Sequence, residues 1–267
     1  MGTSTGYSGP KQRPWGQYRD RLRGLYTRLA KAGASGASGD GSGDIPAALL
    51  DAEAPRLADD LLDTLRRSPQ RAALKQRLDQ QARQVVDALE DLQLNGIEQA
   101  LGAPRGTSPD ERELWFVEAF AARADASGGT AIDVALRRAA VAAADDMLYR
   151  DPRLGEAVRS GSAHEYRISG DLLCWVYAAF FAHAVAGFLH MVVAEHLKAA
   201  LPVLYLDPTG RIAGVLANKL VGLIPNPCEE QVNQLDRAVS LADTARRLIG
   251  PVTSQLLGDG DMGMEAA

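Results

Sequence analysis

The stretch LLCWVYAAFFAHAVAGFLHMVVA, residues 172–194, decides the architecture of this chain. Its only strongly polar side chains are His183 and His190, so a helix here is apolar all round. Two environments accept such a helix: the hydrocarbon core of a bilayer, which about 20 residues span, and the centre of a bundle of other helices. The flanking Arg167 and Lys198 give no positive-inside bias, and two histidines would sit in hydrocarbon. The mean hydropathy of the whole chain is −0.15. The preferred reading is a buried core helix; a membrane span, or a pore released by a trigger, is the alternative. His183 and His190 share a helix face and His196 lies on another, and all three are expected to be structural, satisfied by neighbouring groups.

Outward from this helix the sequence reads as helix after helix. Of 267 residues 46% are hydrophobic but only 6% aromatic, and the apolar content is heavy in Ala and Leu. That balance favours close-packed helices over a sandwich of branched and aromatic strands. From residue 69 to 94 the positions Leu74, Leu78, Ala82, Val85, Leu89 and Leu92 step by four and three, a seam that must pair with another helix, in this chain or in a second one. Ser108-Pro109-Asp110-Glu111 is a capping box with proline at the first helical position, and Asn226-Pro227-Cys228-Glu229 follows the same logic. Helices are expected at 46–66 (irregular near Pro55), 109–126, 130–149, 171–200, 210–223 and 227–249. Only residues 203–206 look strand-like, and one short segment makes no sheet. The expected fold is all-α, a multi-helix bundle around a central apolar helix.

Five regions follow from composition: a flexible tail over 1–16, a tethered amphipathic helix over 17–32, a Gly/Ser linker over 33–44, a helical body over 45–257 and a loose tail over 258–267. The tethered helix places Tyr18, Leu22, Leu25, Tyr26 and Leu29 on one face. Around it Lys11, Arg13, Arg19, Arg21, Arg23 and Arg28 outnumber Asp20, which suits a solvated face or a docking surface for an acidic partner or nucleic acid. The formal net charge of −5 supplies no global attraction to nucleic acid or anionic lipid. The two cysteines, Cys174 and Cys228, are far apart, with neither CxxC spacing nor the density of a disulfide scaffold, and a reducing cytoplasm is expected. No charged-then-apolar opening suggests a secretory signal.

Several chemistries lack their residues. His190 and Glu195-His196 do not make HExxH or HxxEH, and no paired Glu-x-x-His suggests a di-iron bundle. The opening GTSTGYSGPK places Pro10 where a phosphate loop needs its lysine, and no Gly-x-Ser-x-Gly elbow is present. The doublets Asp59-Asp60 and Asp145-Asp146 point about 100° apart on a helix and read as surface charge. No catalytic residue, metal or cofactor is assigned, and the chain is not expected to be an enzyme.

Methionine followed by glycine is readily processed, so the mature chain is expected to begin at Gly2. Gly6 stands where myristoylation requires Ser or Thr. What remains is an unhindered α-amine with a pKa of about 7.7–8.0, partly neutral and nucleophilic at cellular pH. The opening Met1-Gly2-Thr3-Ser4-Thr5-Gly6-Tyr7-Ser8-Gly9-Pro10 resembles the start of the B component of Qat-type bacterial anti-phage defence systems, a QatB-like protein. The resemblance covers about ten residues and leaves the helical body out. It implies a system pairing this chain with an ATPase, a QueC-like enzyme and a TatD-like nuclease. It also implies that the QueC-like enzyme activates a 7-deazaguanine carboxylate with ATP and that Gly2 is the acceptor, giving an amide-linked deazaguanine. Thr3, Ser4, Gly9 and Pro10 are carried over as the recognition tail.

Overall fold

The computed structural model describes residues 16, 17, 20, 24, 27, 47–124, 128–163, 166–198, 224–233 and 239–257. The modification acceptor Gly2, the recognition residues Thr3, Ser4, Gly9 and Pro10, the linker, the strand-like 203–206 and the expected helix 210–223 lie outside them. Gln17, Asp20, Gly24 and Thr27 are helical and exposed, at the three-to-four spacing of a single helix stripe.

The described residues form an all-α fold. Its helices are α1 (Ala47–Arg66), α2 (Gln70–Leu94), α3 (Ile97–Leu101), α4 (Pro109–Arg123), α5 (Ala131–Arg150), α6 (Pro152–Ser160), α7 (Gly170–Lys198), α8 (Pro227–Asn233) and α9 (Leu241–Leu257). The apolar helix α7 is the central one. It packs against α5 above all and also meets α2, α8 and α9. Its Tyr177, Phe180, Phe181, Val185, Phe188 and Leu189 are buried. The buried side of α5 is rich in small side chains, Ala135, Ala139, Ala140, Ala143 and Ala144. Alanines let the two backbones approach, so the bulk at the interface comes from the aromatic side of α7, where Tyr177, Phe180 and Phe181 meet edge to face. The stretch Gly170–Met191 is long and apolar enough to cross a bilayer, and most of it is buried inside the protein.

The seam on α2 finds its partner within the chain. Leu74, Leu78, Ala82, Val85, Leu89 and Leu92 are all buried, and α9 runs antiparallel along α2. Thr253 donates its hydroxyl to Asp79 (2.6 Å), Lys75 donates to Ser254 (3.0 Å), and Arg246 reaches back to Asp87 (2.7 Å) and Glu90. Burial opposes the charge on Arg246, but hydrogen bonds to Glu90 and Asp87 outweigh it and hold the guanidinium above its ordinary pKa.

Helix starts follow their caps. Ser108 accepts from the Glu111 amide while the Glu111 carboxylate accepts from the amides of Ser108 and Thr107. Thr130 and Asp133 repeat the reciprocal pattern for α5. Gly128 lies so close to Asp133 that a Cβ there would fall 2.0 Å from its Oδ2, which reserves the position for glycine. Asn226 accepts from the Cys228 amide at 3.0 Å.

Four expectations are corrected. The helix expected over 227–249 is two helices, because Ser240 accepts from the Asp243 amide (3.0 Å) and so starts α9, which runs on to Leu257. α3 and α6 are additional; α6 begins at Asp151, whose side chain caps the amides of Arg153 and Leu154, with Pro152 at the first helical position. Helix α1 passes through Pro55 without a break, with the proline on an exposed side where water can satisfy the freed carbonyl. Finally, Cys174 and Cys228 are joined in a disulfide, their Cα atoms 5.9 Å apart across a sequence separation of 54.

Candidate functional site

Two surface features gather polar groups beside apolar surface. The first is an open recess of about 970 Å³ along the outer face of α4, walled by the end of α3 and the loop 102–107. Leu114, Trp115, Glu118, Ala119, Ala122 and Arg123 fall on one face of α4 because they form adjacent pairs that repeat every four residues. The loop bends back over them through Gly102 and Gly106, whose φ angles of +91° and +105° are left to glycine. At Gly106 a Cβ would also lie 2.5 Å from the Cβ of Glu111. Leu101, Ala119 and the nearly buried Trp115 make an apolar floor, with Arg105, Glu118 and Arg123 at the rim.

Two of the four charged side chains that line this recess, Glu111 and Arg123, are engaged within the fold. Glu111 belongs to the cap of α4, and backbone hydrogen bonds from Ser108 and Thr107 lower its carboxyl to about 2. Arg123 pairs with Asp91 at the end of α2. Thr107 donates its hydroxyl to Glu111 at 3.1 Å.

The second feature runs along the seam between α5 and α7. Asp146 Oδ2 and His183 Nε2 are 2.9 Å apart and both are partly exposed. Further along the same seam, toward the start of α7, Arg150 lies over the Trp175 ring, 5.5 Å from its centroid. The doublet Asp145-Asp146 is therefore divided: Asp145 faces outward, and Asp146 serves α7. His183 is a satisfied histidine as its setting on an apolar helix suggests, and its partner comes from another helix 37 residues earlier. Periodicity along α7 holds no signal for that pairing.

Among the described residues, no cluster of three or more His, Cys, Asp or Glu side chains is placed to hold a metal ion. Gly2, Thr3, Ser4, Gly9 and Pro10, the residues singled out from sequence, cannot be related to either feature because they lie outside the described residues. Comparison with protein-family models, with curated proteins and with solved structures found no significant match for this chain.

Proposed function

We propose that this chain is a component of a bacterial anti-phage defence system and acts there as the acceptor of a conjugation reaction at Gly2. The observation that carries the reading is the opening run Met1-Gly2-Thr3-Ser4, with Gly9-Pro10 closing it. Once Met1 is removed, the α-amine of Gly2 carries no side chain at its own carbon and can enter a confined pocket. A QueC-like enzyme activates a 7-deazaguanine carboxylate with ATP; the Gly2 nitrogen attacks the activated acyl carbon, the activating group leaves, and an amide remains. Thr3, Ser4, Gly9 and Pro10 form the recognition tail. An ATPase and a TatD-like nuclease complete the set of partners, and the setting is the cytoplasm.

The helical body then serves as the carrier of the tail. That reading is supported by the close packing of α5 against α7 and by the use of Glu111 in a helix cap and of Arg123 in an ion pair. The burial of α7 weighs against a membrane-active role.

The reading is tested by placing extra residues before Gly2 and, separately, by Gly2→Val, with phage challenge as the readout. Both changes are expected to abolish protection while expression and helix content stay at wild-type levels. Full protection with an extended N-terminus would remove the conjugation reading.

A further inference from the structure

Cys174 and Cys228 are the two cysteines of the chain, and their bond ties the start of α7 to the start of α8. The two residues differ in exposure. Cys174 is buried, whereas Cys228 is partly exposed. Helix α8 has seven residues, too few to persist in water by its own hydrogen bonds. It is held by packing on α9 and the start of α7, with Val232 turned outward, and by the disulfide. Helix α9 is secured differently, by Arg246, Thr253 and Ser254 bonding along α2. Cutting the disulfide therefore removes a principal tether of α8 and leaves the anchors of α9 intact.

We propose that Cys174–Cys228 is a redox latch, opened by thiol–disulfide exchange with a dithiol reductant, which releases residues 224–233 from α7 while the rest of the bundle stays folded. A thiolate of the reductant attacks Sγ of Cys228, the more exposed of the two residues. The S–S bond breaks, and Cys174 leaves as a thiolate and takes up a proton. The second thiol of the reductant then gives up its proton and displaces Cys228 from the mixed disulfide, and the Cys228 thiolate is protonated in turn. Two electrons and two protons pass from the dithiol to the protein, and the reductant becomes a disulfide. The buried Cys174 thiol remains compatible with the core, since a free cysteine packs as a small apolar side chain. A disulfide in a reducing compartment is more often a sensor than a staple, and the latch depends on Gly2 in no way.

The test uses the full chain, isolated with alkylation of free thiols, and dithiothreitol as the dithiol. Mass analysis before reduction should find both cysteines unalkylated and bonded to each other. Hydrogen–deuterium exchange should rise on the order of tenfold or more over 224–233 on reduction, with α2, α5 and α9 unchanged. Cys228→Ser should reproduce the reduced pattern and ignore dithiothreitol. Two alkylated thiols in the isolated protein would overturn the proposal, as would unchanged exchange on reduction. A rise spread over the whole chain, or a Cys228→Ser variant that exchanges like the oxidised protein, would overturn it equally.

Discussion

Gln81 is the side chain most at odds with its surroundings. It is fully buried on α2, and neither atom of its amide has a hydrogen-bond partner. An unsatisfied buried amide costs stability that an apolar group of similar shape does not. Gln81→Met is therefore expected to raise stability by about 1 kcal/mol, read from the urea midpoint. A loss of similar size would mean that the amide is bonded after all. Glu111 is the opposite case, a surface carboxylate whose Oε2 accepts from the amides of Ser108 and Thr107 and from the Thr107 hydroxyl. Its pKa falls from about 4.5 to about 2, so its stabilisation is complete above the unfolded value and is lost as pH falls through the folded one. Glu111→Gln should therefore lower the midpoint relative to wild type at pH 6, with the gap closing between pH 4.5 and 2. A gap that widened on acidification would contradict the assigned role. The cap was legible in Ser108-Pro109-Asp110-Glu111 because its partners are three residues apart. The orphan amide was not, because Gln81 lies one place from the heptad seam and only tertiary packing decides what closes over it.

Helix α7 states its environment most clearly at Val185, which is fully buried. A carboxylate there has neither water nor a partner. Val185→Asp is expected to destabilise the fold by at least about 3 kcal/mol, and a soluble variant with an unchanged melting temperature would mean that α7 is not the core. The elements legible in the sequence are those whose signal is local and long: the apolar run of α7, the α2 seam and the capped start of α4. Helix α6 had a readable start in Asp151-Pro152, but nine residues offer too few turns for periodicity to register. The break between α8 and α9 rests on one capping serine. The pairings Cys174–Cys228 and Asp146–His183 were closed to the sequence for a different reason. They join residues 54 and 37 positions apart, and only the way α8 and α5 pack on α7 brings them together.

At the scale of the whole molecule, the packed body stands apart from the opening residues, whose proposed role rests on the resemblance of Met1-Gly2-Thr3-Ser4 and on the chemistry of a free glycine amine. Many polar groups of the body are used internally: caps at Ser108 and Thr130, ion pairs across α2–α9 and α2–α4, and the Asp146–His183 hydrogen bond across α5–α7. The chemistry assigned to Gly2 needs a free amine at a set distance from Thr3 and Ser4 and needs nothing from the body except to carry them. Changes at Gly2 should therefore leave the melting temperature and helix content unaltered while removing function. The most direct measurement is the mass of the N-terminal peptide after co-expression with the QueC-like partner. The account predicts a discrete adduct on the Gly2 amine, matching an amide-linked 7-deazaguanine and absent from Gly2→Val. An unmodified N-terminal peptide in a chain that still protects against phage would contradict it.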